Sequence, residues 1–405
     1  MKSSTSDKKF KKNLTLFYII LFLGEFSVTI PHAFVTLYLL SSGISLAQIS
    51  LMQVFYMLAI IIFEVPSGVL ADRYSKKLIF IISMALMCIS YVLYIKIDCF
   101  YIIAFAQFIY GMASALNSGT IDSILLNQLS TKDNDSMEIF TRNSNMIVTS
   151  AMVFGSFIGS LLFNKVLGSY VYLIAILGFI LSALISLKLH EDKLENKSIH
   201  FNASSLVKHF KDGFKSITSN LKLFKIITLI ALLQFVLQPF FNYWQPLSVN
   251  KGFDGSNLTY IYILMQFFGI LASYLYKYLT KVSYHKVFLI INIILLTILM
   301  ILSVNLGSYT YLVILLISIL PRSFILINLN YKLQKNINNN IRSTVTSISS
   351  SYSRIISMTA LIIMSVLNSF NFKLNVIITI CVSFYLVSSL ILISLKLKVS
   401  KSTSN

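Results

Sequence analysis

Phe63-Glu64-Val65-Pro66-Ser67-Gly68-Val69-Leu70-Ala71-Asp72-Arg73-Tyr74-Ser75-Lys76-Lys77 closes one apolar run, passes through a short basic turn, and hands over to a second apolar run at Leu78. Pro66 and Gly68 permit a bend and close helix contact. Asp72 and Arg73 set opposite charges where a membrane-length helix would end. The stretch therefore reads as a hinge between two spans, and its meaning depends on how many spans flank it.

The flanks are apolar throughout. The 405 residues are 56% hydrophobic with a mean hydropathy of +0.80, well outside the range of water-soluble domains. Crossing the hydrocarbon takes about 20 apolar residues. Runs of that kind occupy 14–40, 47–71, 78–95, 100–127, 144–165, 168–189, 223–248, 257–279, 286–304, 309–334, 343–366 and 371–396. The expected fold is thus an all-α membrane protein with twelve transmembrane helices. The longest polar stretch, 190–222, divides an N-terminal six-helix half (1–189) from a C-terminal one (223–405) and reads as a cytoplasmic linker.

The net charge of +19 follows from topology rather than from a nucleic-acid partner. Of 33 Lys and Arg, 27 fall in the termini, the linker and the turns of one membrane face, and only Lys96, Lys165, Lys251 and Lys373 on the other. That bias places both termini in the cytoplasm and lets the same bases attract anionic lipid. Cys88, Cys99 and Cys381 lie too far apart to form a metal or disulfide pattern. Nucleotide-binding loops and nucleophile constellations are missing from the sequence, so no catalytic residue and no metal site is expected, and the chain is not read as an enzyme.

Ionisable groups inside spans are costly, roughly 2.5–3.5 kcal/mol at mid-bilayer, and call for partners or water. Glu25, Thr29, His32 and Thr36 recur at spacings that share one helical face in span 1. Gln107, Gly111, Ser114, Ser118 and Asp122 do so in span 4, and Gln234, Gln238, Asn242 and Gln245 in span 7. Arg322 lies in span 10 and Arg354 in the serine-rich span 11. The acids sit in the first half and the intramembrane bases in the second. Candidate substrate or coupling residues are therefore Glu25, His32, Asp122, Gln238, Asn242, Arg322 and Arg354. Tyr243 and Trp244, near the outer end of span 7, read as interfacial anchors. Spans 1 and 7 each carry helix breakers, Gly24 and Pro31 in one and Pro239 and Pro246 in the other. Each ends in a glycine turn, Ser42-Gly43 and Lys251-Gly252. The halves thus read as a repeat.

Gly68, Leu70, Ala71, Asp72, Arg73 and Lys77 match the loop between helices 2 and 3 of the major facilitator superfamily, Gly-x-Leu-Ala-Asp-Arg-x-Gly-Arg-Lys, with Ser75 for Gly and Lys76 for Arg. The chain resembles that superfamily. Glu64 to Gly68 with Ala71-Asp72, Ser118-Gly119-Thr120 before Asp122, and Arg342-Ser343-Thr344 are similar to a bacterial branch known mostly as drug or toxic-compound exporters. The resemblance implies that Asp72 caps the N-terminus of helix 11 near Ser343. Glu64, Gly68, Asp72, Arg73, Lys77 and Ser343 would then form a conformational gate. Two antiporter motifs are degraded: Gln107 stands where an arginine is usual, and Gly155-Ser156-Phe157-Ile158-Gly159-Ser160 lacks the motif's proline.

The expected function is ion-coupled efflux of a small amphiphilic toxic compound, an antibiotic or small peptide antibiotic, by alternating access. The alternative is an importer of a nutrient such as a sugar, peptide or siderophore. A proton or other ion gradient replaces any cofactor. The expected partners are a small-molecule substrate and the lipid bilayer, and the expected location is a bacterial inner membrane, as a monomer.

Overall fold

The computed structural model describes residues 2–97, 99–129, 134–165, 168–191, 215, 217–279, 291–295, 297–298, 301, 304, 307–337 and 342–402. These are helical almost throughout. In chain order the helices are α1 (Lys2–Thr29), α2 (Val35–Ser41), α3 (Leu46–Arg73), α4 (Lys76–Ile95), α5 (Phe100–Asn117), α6 (Thr120–Leu129) and α7 (Asn134–Lys165). They continue with α8 (Val171–Ser186), α9 (Leu221–Asn250), α10 (Gly255–Leu279), α11 (Ser308–Asn336), α12 (Arg342–Ser369) and α13 (Leu374–Ser402). Among the described residues ten spans are long and apolar enough to cross a membrane. Of the two expected spans not among them, the fifth (144–165) lies on α7, and the ninth, like most of the linker, lies largely outside the described residues.

Two compact units emerge, Met1–Ile199 with Asp254–Gln266, and His200–Phe253 with Phe267–Asn405. In the first, α5 lies between α3 and α4, α4 meets α8, and α1 packs against both α7 and α8. Its core joins Phe17, Phe34, Met84, Tyr91, Tyr94, Tyr172 and Phe179. In the second, α9 is the hub for α11, α12 and α13. Large apolar side chains such as Val92, Phe105, Leu177, Leu184 and Leu390 point outward. In water such a surface would aggregate; in a bilayer it meets lipid.

Glycine permits the closest helix contacts. A Cβ on Gly159 would lie 1.9 Å from the Ile30 carbonyl oxygen, and one on Gly155 2.7 Å from that of Phe26. The α1–α7 seam is therefore backbone against backbone, the small-residue packing that membranes favour where no hydrophobic force draws helices together. Gly111 plays the same part between α5 and α3, where a Cβ would sit 2.3 Å from the Tyr56 carbonyl oxygen.

The glycine turns behave alike in both units. Gly43 (φ 83°) and Gly252 (φ 87°) occupy the left-handed region. Ile44 N–H reaches back to Leu39 O at 3.0 Å, and Phe253 N–H to Ser248 O at 3.1 Å. Both are Schellman closures of a span, and they support the repeat. The proline expectation holds in one unit only. Span 1 breaks after Thr29, with residues 30–34 in a turn around Pro31, whereas α9 runs helical through Pro239 and Pro246. Span 4, read as one continuous run, is broken as well: α5 ends at Asn117, Gly119 takes φ 72°, and α6 restarts at Thr120.

Candidate functional site

The span 4 break opens onto a cavity of about 200 Å³ inside the first unit. From α1 it receives Phe17, Ile20, Leu21, Gly24, Glu25 and Val28. From α4 come Phe80, Met84 and Met87, and from the break and α6 come Asn117, Ser118, Gly119, Ile121 and Asp122. Glu25 and Asp122, far apart in sequence, thus line one space, and Glu25 lies in the field of Asp122. Among the described residues the lining contains no Lys, Arg or His.

Local chemistry explains the break. Ser118 N–H still reaches Ser114 O at 3.1 Å, and the Thr120 hydroxyl donates to Asn117 O at 2.8 Å, replacing an amide that a continuous helix would supply. Asp122 then falls in the first turn of α6, where the helix dipole favours a carboxylate. Discontinuous helices inside a membrane are tolerated where they face a cavity or protein.

The remaining predicted residues fall elsewhere. The stripe of span 1 does not stay in phase, because the helix stops at Thr29. Thr29 is buried and its hydroxyl donates to Glu25 O at 2.7 Å, while His32 lies in the following turn with an exposed side chain. Gln107 is buried, donating Nε2–H to the Tyr94 hydroxyl, and its Oε1 has no partner among the described residues. The Tyr38 hydroxyl in turn donates to Tyr94 O at 2.8 Å. Tyr38, Tyr91, Tyr94 and Tyr172 form one packed aromatic cluster. The first part of the span 4 stripe therefore packs helices, and only its end meets the cavity.

In the second unit, Gln238 and Asn242 are buried and bond along their own helix, Gln238 to Gln234 O at 3.4 Å and Asn242 to Gln238 O at 3.0 Å. The Arg322 guanidinium lies over the Phe241 ring, 5.2 Å from its centre, within cation–π range. Arg354 is half-buried on α12. The anchor reading of Tyr243 and Trp244 fails: both are buried, and the Tyr243 hydroxyl accepts from Asn368 at 2.6 Å. A buried phenol with a partner inside the protein does not sit at a headgroup.

Of the gate residues, Glu64 is half-buried on α3, with the Ser67 hydroxyl donating to its carbonyl at 2.9 Å. Gly68 lies within α3. The side chains of Asp72, Arg73 and Ser343 lie outside the described residues. Lys77 has a defined role within the unit. Its Nζ donates to Leu187 O and Leu189 O, both at 3.3 Å, just beyond the end of α8. Glu191, absent from the sequence expectations, answers from the other side by accepting the amides of Lys76 and Lys77 and the Ser75 hydroxyl. The Asn13 side chain fixes the same segment, donating to His190 O at 2.9 Å and accepting from His190 N–H at 3.0 Å. Among the described residues no cluster of His, Cys, Asp or Glu could hold a metal ion.

Comparison with known proteins agrees with this architecture. The family model described as Major Facilitator Superfamily matches residues 16–361. An uncharacterized MFS-type transporter of Bacillus subtilis strain 168, YxaM, is 25% identical over 252 residues. The match spans 62% of this chain and 62% of that relative, less than two thirds of its length. Two crystal structures of the nucleoside transporter NupG share the fold, with TM-scores of 0.80 for a point mutant and 0.77 for the other. Identity is 14% for both; each covers 94% of this chain, which spans 99% and 98% of theirs. A bacterial homologue of the human lysosomal transporter Spinster gives 0.67 at 13% identity, covering 93% of this chain and 96% of its own. With a family model matched across most of its length and spans to fit, the chain belongs to the Major Facilitator Superfamily and is a multi-pass membrane protein.

Proposed function

We propose that the protein is an ion-coupled exporter of a small amphiphilic toxic compound, working by alternating access. The observation that carries the reading is the convergence of Glu25 and Asp122 on one cavity whose other lining, Asn117 and Ser118 apart, is aromatic, aliphatic, thioether or glycine. Carboxylates take up and release a proton, and the apolar wall suits an amphiphile's body. Export couples the two when proton and substrate alternate at one place. By charge bias the termini lie in the cytoplasm, and the membrane is the bacterial inner membrane.

Inverted membrane vesicles test it. Adding a transported compound to energised vesicles should release internal protons only when the protein is present, and cells lacking it should accumulate that compound. Loss of growth on a nutrient, with no change in accumulation, would overturn export. Asn117 and Ser118, lining the same cavity as Phe17 and Phe80, favour the second reading, uptake of a hydroxylated nutrient that stacks on aromatic rings.

A further inference from the structure

The cavity's make-up narrows the substrate further, on the basis of the transport reading above. We propose that the Glu25–Asp122 cavity receives the cationic amine end of the substrate, so that the cargo is an organic cation. Two acids enter from different helices, and the described lining supplies no base to balance them. Asp122 complements the N-terminal end of its own helix, α6; Glu25, in the interior of α1, has no such partner in that lining. The α5 C-terminus also opens here, at Asn117 and Ser118, and the carbonyl end of a helix favours positive charge. Phe17 and Phe80 add aromatic rings, the side-chain class that attracts ammonium groups, and Met84 and Met87 add adaptable apolar surface. A neutral polyol would find acceptors here but leave the carboxylate charge uncompensated, and an anion would be repelled.

Size decides how much of the molecule enters. A volume of about 200 Å³ is below the roughly 300–1,000 Å³ of pockets that enclose drug-sized ligands. At about 30 Å³ per water it equals on the order of seven waters, enough for a substituted ammonium and one ring. The rest of a longer amphiphile lies outside.

The test uses the full-length protein in lipid nanodiscs and titration calorimetry with phenyltrimethylammonium, whose charge is independent of pH. Its uncharged near-isostere 2-phenyl-2-propanol serves as the comparison. The cation should bind at least tenfold more tightly than the alcohol. Glu25→Gln and Asp122→Asn should each weaken cation binding at least tenfold, and Asp122→Glu should keep it. Equal binding of the alcohol, undiminished binding by both neutral variants, or no cation binding to wild type would each overturn the inference. The wild-type comparison decides the matter even if a variant fails to fold. Proton-coupled efflux of an uncharged compound from vesicles without cation binding would leave export standing and remove the cation. Cation binding with no compound moved would do the reverse.

Discussion

Glu191 accepts the backbone amide of Lys76 at 2.7 Å and so caps the first turn of α4 from beyond the end of α8. Lys77 completes the exchange by donating to the carbonyls that follow α8. An acid meets a helix start and a base meets a helix end, the arrangement that the peptide dipoles favour on both counts. The basic turn of the signature loop is thereby fastened to the sixth span within its own unit.

Glu191→Ala should lower stability by about 1 kcal/mol, the usual scale for losing a cap, read as a lower Tm of the detergent-purified protein. Asn13→Ala releases the same segment, so the double variant should lose less than the two single losses added together. An unchanged Tm in Glu191→Ala would show that the cap contributes nothing.

Gly159→Leu should prevent assembly of the first unit, because even the first side-chain carbon would meet the Ile30 carbonyl. Overpacking typically costs about 1–3 kcal/mol when side chains can yield; here the obstacle is backbone. The readout is loss of protein from the membrane fraction. Gly269→Ala, where nothing lies within 4 Å, should accumulate normally and serves as the control.

Asp122→Asn and Arg354→Ala should each abolish flux while membrane abundance stays at the wild-type level. Each removes a charge that the bilayer makes expensive to keep. Transport assays paired with immunoblots check this, and wild-type flux in both would remove the charged residues from the mechanism.

Gln107→Met should be nearly neutral for stability, within about 1 kcal/mol. It gives up the bond to Tyr94 but also removes a buried oxygen that has no partner among the described residues, and leaving such a group unpaired costs at least as much as a bond contributes. A large drop in Tm would mean that the amide does more than pack.

Hydropathy alone revealed the ten spans found among the described residues, because a length threshold and a run of apolar residues are local properties. The two Schellman glycines were legible for the same reason. The break in span 4 was less so. Ser118-Gly119-Thr120 contains the signal, but small residues within a span also mark helix contacts. Gly111, in the same run, is of that second kind: it lets α5 approach the Tyr56 carbonyl and breaks nothing.

Glu25 and Asp122 were legible as costly charges, but their shared cavity was not, because it depends on how α1 and α6 pack. Glu191 gave no signal at all: a polar residue after a span looks like any other, and only its meeting with Lys76 gives it a role. Tyr243 misled for a related reason. Aromatic residues near a span's end suit a headgroup, yet this one faces Asn368 inside its unit.

The glycines that bring the first unit's helices into backbone contact, Gly111, Gly155 and Gly159, do not line its cavity. Part of its hydrophobic core does: Ile20, Phe80, Met84 and Met87 belong to both. Substitutions in the wall therefore reshape what the cavity accepts and repack the core at the same time. A lineage under changing chemical challenge would have to vary its cargo through compensated exchanges at those positions, while its glycines stayed fixed.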